Sequence, residues 1–395
     1  MVSLALEDSY DPLSDKDLPR AALLFYLVFL AFTVFSFSGG ISQWDFKGYY
    51  AAAEAQSHGL DPYDGETLAI MAGETVHPYV YPPPTLMFFR LFTVLDWGLA
   101  QELYLLLKYA AMVFLFLSWR KRIFHGEVDV FYYLFWLMAY NEAVFKDVFA
   151  GNISLFEQVI LWSAFYFLLQ KRYALFSFFT VLASTFKLTP LAFLALLLFV
   201  GDARHWKLLA ISAIAFSLYL LAPYVIAPQA FSGYLHNAEF VVTSPGERGT
   251  INPSSYAFAK EVSSKLGHLP IPAEAIYSLL VIPVLCFSFR ACEVLMERGG
   301  EDRMLQVIIM SCLVYAIAVP RFKDYSYILL IAPTYYVLRQ MRHTRYYVPL
   351  LIATVMAPSI LASYLGGLFD YTVLFVAYGI WASYVNMILS DDVSP

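Results

Sequence analysis

The sequence predicts an all-α polytopic membrane protein, and three observations lead to that fold class. Hydrophobic residues make up 60% of the 395 residues and charged residues only 14%, whereas about a quarter of residues are charged in a soluble domain. Long apolar stretches recur along most of the chain. Polar residues gather in a few loops between those stretches. A chain of this composition needs a bilayer to cover its apolar surface.

The apolar stretches set the predicted topology. A span needs roughly 20 apolar residues, or about 17 when flanking side chains snorkel. The polar, acidic N-terminal segment is unlike a signal peptide, so the first helix is expected to remain as a signal anchor. The rule predicts one domain at 21–389 between cytoplasmic tails at 1–20 and 390–395, with about twelve helices at 21–38, 97–119, 128–148, 153–169, 173–186, 188–200, 206–226, 275–293, 304–319, 325–338, 346–365 and 369–389.

The apolar run at 85–95 is too short to span and follows three prolines, so it is predicted to be a helix lying along the interface. Charge supports this choice. With the N-terminus inside, every predicted inner loop is basic, including WRKR at 119–122 and the loop with Arg339, Arg342 and Arg345. Inner loops of membrane proteins are rich in Lys and Arg. If 85–95 spanned the membrane, WRKR and every later loop would lie outside.

This topology gathers the polar segments on one outer face. They are a first external loop at 39–96, the turn at 145–156, a second external loop at 227–274, the segment at 319–327 and the junction STFKLTP at 184–190. Loops of about fifty residues are long for plain connectors and are usually functional. We therefore expect the functional site on the external face.

Asp45 lies just past the predicted outer end of the first helix, before an Ala-rich helical segment at 49–57. A carboxylate held at the membrane boundary is a candidate general base. Asp before a helix is also favoured as an N-cap, because its side chain satisfies free backbone N–H groups. The residues alone leave both interpretations open. Gly59 and the turn LDPYDG are predicted to end the helix.

Four cations are predicted on the same face: Lys187, Arg248, Arg321 and Lys323. They suit a lipid-linked phosphate, because charge-assisted pairing with phosphate is strong and a lipid brings its head group to this depth. The alternative for each is a snorkelling anchor at a helix end. Lys187 differs, since it lies between two apolar segments, where an ionisable group indicates function. Asp324 is predicted to pair with Lys323 or Arg321.

The sequence lacks the motifs of nucleotide-dependent and metal-dependent enzymes. There is no nucleotide-binding Gly-rich loop and no His-Glu-x-x-His, and the first loop has no Asp-x-Asp. The loop histidines His58 and His77 have no partner at metal-ligand spacing. The cysteines at 286, 292 and 312 are predicted to pack among apolar helices. We therefore expect no metal, no nucleotide cofactor and no nucleic-acid partner.

The sequence resembles glycosyltransferase family 87, whose members are integral-membrane enzymes of the GT-C fold. The resemblance rests on blocks in order along about 44–327: WDFKGYYAAAEAQSHGLDPYD, YVYPPPTLMF, GNISLF, STFKLTPLAFL and NPSSY. The first two blocks together are specific, whereas GNISLF and KLTP alone are weak. Related sequences often carry Gly-Gln where this chain has Gly151-Asn152. They also often carry a His before the late Tyr, where this chain reads Lys323-Asp324-Tyr325.

The resemblance implies an inverting transfer of a sugar, mannose or another hexose, from a polyprenyl-phosphate donor to a glycolipid or glycan acceptor. It implies a bacterial inner membrane with the active site on the periplasmic face, and Asp45 as the catalytic base. We predict donor phosphate contacts from Lys187, Arg321, Lys323 and Arg248. The predicted substrate contacts are Tyr49, Tyr50, Tyr63, Tyr79, Tyr81, His77, Asn152, Asn252 and Asp324.

Two other functions remain open from the sequence. A transporter or flippase of lipid-linked sugars would bind the same phosphate without chemistry, and it predicts internal repeats and helices broken at mid-membrane. A membrane scaffold would use Asp45 only as a helix cap, and it predicts that replacing Asp45 leaves function intact. The sequence shows no repeat, and its polar residues gather in loops, which favours the enzyme.

Overall fold

The computed structural model describes residues 18–200, 203–243, 249–266, 271–356 and 367–390. These residues form helices, turns and loops, with no β-strand among them. The α-helices are α1 Leu18–Phe35, α2 Trp44–Ser57, α3 Gly65–Ala72, α4 Leu86–Arg90, α5 Trp97–Ser118, α6 Val130–Ala150, α7 Ser154–Leu169, α8 Tyr173–Ser184, α9 Ala203–Ile226, α10 Pro228–Thr243, α11 Ser255–Lys265, α12 Ala273–Arg298, α13 Arg303–Ala318, α14 Ile328–Gln340, α15 Tyr347–Val355 and α16 Thr372–Ser390.

Short 3₁₀ and π segments extend or connect these helices. The 3₁₀ segments are Pro83–Thr85, Thr189–Val200, Asp324–Tyr327 and Gly367–Tyr371, and the π segments are Ser36–Gly40 and Trp119–Ile123.

Among the described residues, five helices are long and apolar enough to cross a membrane: Ala22–Gly39, Trp97–Ile123, His205–Ile226, Ala273–Arg298 and Phe369–Ser390. The pair α6 and α7, which meet at a bend of 116°, raises the number to six if it is one span. The remaining apolar helices, such as α8 and α13, are shorter than the roughly 20 residues that a span needs. The predicted helical class is confirmed, and the predicted count of about twelve spans is not.

The bundle has a buried centre and apolar flanks. In α13 and α14 nearly every residue from Leu305 to Leu338 that lies within a helix is buried or half-buried. By contrast, α1 and α9 present exposed Leu, Ile and Val side chains, including Leu24, Leu27, Val225 and Ile226. Contiguous apolar surface on this scale is a surface for lipid.

The segment 39–96, predicted as the first external loop, contains the short helices α2, α3 and α4. The helix predicted at 85–95 is confined to the 3₁₀ turn Pro83–Thr85 and to α4, which ends at Arg90. Residues 91–95 form turns, and the side chain of Thr93 caps the carbonyl of Arg90 at 3.1 Å. Gly59, with φ +73°, follows the end of α2 as predicted.

Gly151 brings α2 against the turn between α6 and α7. Its φ of +67° is in the left-handed region that favours glycine, and a Cβ there would lie 2.8 Å from Gln43 Cβ and 2.9 Å from Phe46 Cβ. The main chains also join here, since Gln43 N donates to Phe149 O at 3.1 Å. This contact sets the residue after Gly151 directly beside the first turn of α2.

The basic segments lie at the other end of the bundle. Asp96 caps the start of α5 at the end of the segment 39–96, and Arg120 follows the far end of the same helix. At that far end Arg339 forms an ion pair with Glu127 at 2.7 Å, and Arg342 forms one with Asp129.

Candidate active site

The polar segments predicted on one face meet around a single cavity of about 320 Å³. Eight of the predicted site residues line it: Asp45, Tyr49, His77, Tyr81, Asn152, Lys187, Arg321 and Lys323. They come from α2, the segment after α3, the α6 to α7 turn, the junction after α8 and the segment before α14.

Asp45 lies in the first turn of α2 with its side chain half-buried. The N-cap position of this helix belongs to Gln43, whose φ of 46° is left-handed and whose side chain makes no cap bond. The interpretation of Asp45 as an N-cap is therefore wrong. Its carboxylate oxygen Oδ2 instead accepts a hydrogen bond from Asn152 Nδ2 at 2.7 Å.

Asn152 connects the carboxylate to the rest of the cavity wall. Its Nδ2 also lies 3.0 Å from the hydroxyl of Tyr49 and 3.1 Å from the hydroxyl of Tyr325. Its Oδ1 accepts from the main-chain N and from the Oγ of Ser154, at 3.1 and 2.9 Å. The amide is thus fixed in orientation, because its oxygen faces two donors and its nitrogen faces acceptors.

Tyrosine hydroxyls line the wall beside Asp45. The hydroxyls of Tyr49 and Tyr81 lie 3.0 Å apart. Burial, and after it the charge of Asp45, raises the pKa of Tyr49 and of Tyr325. These phenols therefore remain protonated at neutral pH and can donate hydrogen bonds to a bound molecule.

A cationic wall of the cavity adjoins these tyrosines. Lys187 Nζ donates to Ser154 Oγ at 2.6 Å and forms an ion pair with Glu157 at 2.9 Å. Lys187 and Lys323 both lie near the ring of Tyr325, at 5.5 and 5.8 Å from its centroid. Arg321 lines the same cavity. Hydrogen bonds run without a break from Asp45 through Asn152 and Ser154 to Lys187.

Other predicted contacts lie behind the cavity wall. The hydroxyl of Tyr50 donates to Leu95 O at 2.8 Å, and that of Tyr63 donates to Tyr81 O at 2.7 Å. Tyr79 is fully buried against Thr85, at 2.5 Å between their hydroxyls. Asn252 Oδ1 accepts from Phe322 N at 3.0 Å and so holds the segment that carries the late cations. The hydrogen bonds of Tyr50, Tyr63, Tyr79 and Asn252 therefore hold the residues that form the cavity wall.

Asp324 also lies outside the cavity lining. Its ion pair is with Lys146 at 3.3 Å, where Lys323 or Arg321 was predicted as the partner. Burial raises the pKa of Asp324, and the charge of Lys146 opposes that shift. Arg248 lies outside the described residues, so its predicted phosphate contact stays a prediction.

The structure adds residues that sequence reasoning missed. Tyr325, Phe186 and Tyr234 line the cavity, and Ser154 and Glu157 hold Lys187. Glu157 carried a usable signal, because an acidic residue early in an apolar segment indicates a functional partner. Tyr325 and Tyr234 could not be singled out from the sequence, because the chain has 30 tyrosines. Among the described residues, no group of three or more His, Cys, Asp or Glu could hold a metal ion.

A helical bundle with apolar flanks and a polar, charged cavity at one end defines an integral membrane protein with a solvent-accessible site. A family model described as glycosyltransferase family 87 matches residues 79–320. The match covers more than half of the chain, so the protein belongs to glycosyltransferase family 87 and is a membrane glycosyltransferase. No curated protein and no solved structure matches the chain. Asp45 and Tyr49 precede the matched region, and Lys323 and Tyr325 follow it.

Proposed function

We propose that this protein transfers a sugar from a polyprenyl-phosphate donor to a lipid or glycan acceptor on the outer face of a bacterial inner membrane, with inversion at the anomeric carbon. The observation that carries the proposal is that Asp45 lines the same cavity as Lys187, Arg321 and Lys323. A base and phosphate-binding cations in one cavity are the two requirements of a direct displacement.

In the proposed step, Asp45 accepts the proton of the acceptor hydroxyl while that oxygen forms a bond to the anomeric carbon. The bond between the anomeric carbon and the phosphate oxygen breaks, and its electron pair leaves with the phosphate. The donor phosphodiester carries one negative charge, and the departing polyprenyl phosphate carries two. Lys187, Arg321 and Lys323 stabilise the added charge, which develops only in the transition state.

An apolar groove next to the cavity supports a lipid-linked donor. The groove has a volume of about 570 Å³, lies between Thr189–Val200, α12 and α13, and shares Thr189 with the cavity. Pro320, the residue before Arg321, also lines the groove. Leu285 and Phe289 of α12 line it as well, and both side chains are exposed. A polyprenyl chain in this groove would place its phosphate beside the cations.

Two further features support the proposed sugar and the proposed membrane face. The cavity has the size of a small-molecule site, which is roughly 300 Å³ or more, and the hydroxyls of Tyr49, Tyr81 and Tyr325 suit a hexose such as mannose. The basic segments at Trp119–Ile123 and at 339–345 lie at the opposite end of the bundle. Since basic loops stay inside, this arrangement supports a cavity that opens on the external side.

The test is transfer of radiolabelled sugar from a panel of polyprenyl-phosphate sugars to extracted membrane lipids by the full-length protein in liposomes. Wild type should transfer from one donor, and Asp45→Asn should bind that donor but lose transfer by about a hundredfold or more. Asp61→Asn is the matched control, because Asp61 is exposed in the same loop and its turn bond to Tyr63 N suits Asn equally.

Two other results would contradict parts of the proposal. Equal transfer by wild type and Asp45→Asn would overturn the assignment of Asp45 as the base and leave it a structural role. Movement of donor across the liposome membrane without transfer would support the flippase.

A further inference from the structure

A buried ion pair lies beneath the candidate active site, and the proposed mechanism does not use it. Lys108 of α5 and Asp147 of α6 are both 0% exposed, and the ammonium contacts the carboxylate. The same Nζ donates to the main-chain oxygen of Asp147 at 3.2 Å and to the main-chain oxygen of Asn152. An ammonium has three protons to donate, and here each has an acceptor.

Stability alone does not account for this pair. Burying two charges costs several kcal/mol per ion, and apolar side chains of similar volume often stabilise a core as well or better. The surroundings are apolar, since Nζ lies 5.7 Å from the ring of Tyr104 and 5.6 Å from that of Phe156. Ionisable groups kept at such a position in a membrane protein indicate a function.

The contacts of the pair lead directly to the candidate base. Lys108 lies one helical turn from Tyr104, on the same face of α5. The hydroxyl of Tyr104 reaches Asn152 O at 3.5 Å, and its ring stacks on Phe46 with centroids 3.8 Å apart. Phe46 follows Asp45 in α2. One face of α5 therefore holds the main chain on both sides of the contact between Asn152 and Asp45.

We propose that the ion pair of Lys108 and Asp147 positions the base: it fixes the carbonyl of Asn152 and thereby directs the Asn152 amide at Asp45. The inference rests on the proposed role of Asp45. Lys108 and Asp147 do not line the cavity, so they are positioning residues that act through Asn152. Without the ammonium, the carbonyl of Asn152 keeps only the 3.5 Å contact with Tyr104 as its bond to α5, and the amide no longer holds the carboxylate in one orientation.

The test compares the wild type with the double variant Lys108→Met, Asp147→Leu, which removes both charges and leaves neither unpaired. Transfer kinetics, donor affinity and thermal unfolding are measured for the full-length protein in liposomes or detergent. The same double replacement is made in an Asn152→Ala background, because residues that act through one another are not additive. Lys108→Arg is the conservative variant, which keeps a cation and its donors.

The double variant should fold, bind the donor within about threefold of wild type and lose about tenfold or more in kcat, since small displacements at a reacting group are costly. In the Asn152→Ala background the same replacement should change kcat by less than about twofold. Lys108→Arg should retain more activity than Lys108→Met. A double variant with wild-type kcat, or an equal loss in both backgrounds, would overturn the proposal.

A structure of the double variant separates this proposal from the proposed function. Asn152 Nδ2 should move beyond about 3.5 Å from Asp45 Oδ2; an unchanged contact at 2.7 Å would overturn the positioning role whatever the activity. If the wild type transfers sugar from no donor, the proposed function fails and this structural comparison alone decides.

Discussion

The side-chain amide of Asn152 lies 2.7 Å from the carboxylate of Asp45, although 107 positions separate the two residues in the chain. This contact joins the first helix after α1 to the turn between α6 and α7. It also begins the series of hydrogen bonds that ends at Lys187 in the cationic wall of the cavity. Asp45 and Lys187 are therefore both held by side chains of one turn of the chain.

The first prediction concerns the amide of Asn152. Asn152→Ala should lower kcat about tenfold to a hundredfold, because Asp45 loses the donor that orients it. Asn152→Asp should lower it further, since a second carboxylate 2.7 Å from Asp45 adds repulsion. Donor affinity should change little in Asn152→Ala. Steady-state kinetics together with donor binding check this, and an unchanged kcat in Asn152→Ala would show that Asp45 needs no such partner.

The second prediction concerns Gly151. Gly151→Ala should lower the free energy of unfolding by about 2–4 kcal/mol, because the new Cβ meets a strained backbone and two side chains at once. Gly59→Ala is the matched control. Gly59 also has positive φ, +73°, but has nothing within 4 Å of the added Cβ, so it should cost only about 1 kcal/mol. Thermal unfolding measures both, and equal losses would mean that the close contact with α2 is unimportant.

The third prediction concerns the cationic wall. Lys187→Met should weaken donor binding about tenfold or more, because a charge-assisted bond to phosphate is lost and Glu157 is left without its cation. The variant Lys187→Met, Glu157→Gln should regain stability without regaining affinity. Lys265→Met, with a side chain 53% exposed on α11, is the control that should bind normally. Binding titrations with donors and with short-chain phosphate analogues check this; wild-type affinity in Lys187→Met would exclude Lys187 from the phosphate site.

The fourth prediction concerns the apolar groove. Ala195→Trp should fill it, since Ala195 lines the groove between the 3₁₀ segment and α12. Its KM for a long-chain donor should rise about tenfold, while its KM for a donor with a chain of a few carbons stays near the wild-type value. Ala213→Trp, on the exposed face of α9, tests the effect of a bulky side chain elsewhere. An equal effect on both donors would place the lipid chain outside this groove.

Much of the site could be predicted from residue type and order. Asp45, Lys187, Arg321 and Lys323 were identified because charged groups are rare in this chain and lie next to apolar segments, where they are costly. The supports were harder. By residue type and position in the sequence, the residues Tyr50, Tyr63 and Asn252 resemble those that line the cavity. Their side chains instead form hydrogen bonds with the main chain behind the cavity wall. Lys108 and Asp147 are charged residues within apolar segments, which indicates a function. That they form an ion pair between two helices could not be predicted from their spacing in the sequence.

The sequence by itself determined that this chain is helical, that it belongs in a membrane and that its polar segments gather at one end, because apolar length and charge placement depend on local composition. It did not determine the number of spans, since several apolar stretches are too short to decide. Only the tertiary structure decided between the cap and the cavity for Asp45, because that choice depends on Gly151 allowing α2 to approach the α6 to α7 turn. Contacts between segments more than a hundred residues apart depend on how the helices pack. Such contacts produce no periodic pattern of residues from which they could be predicted.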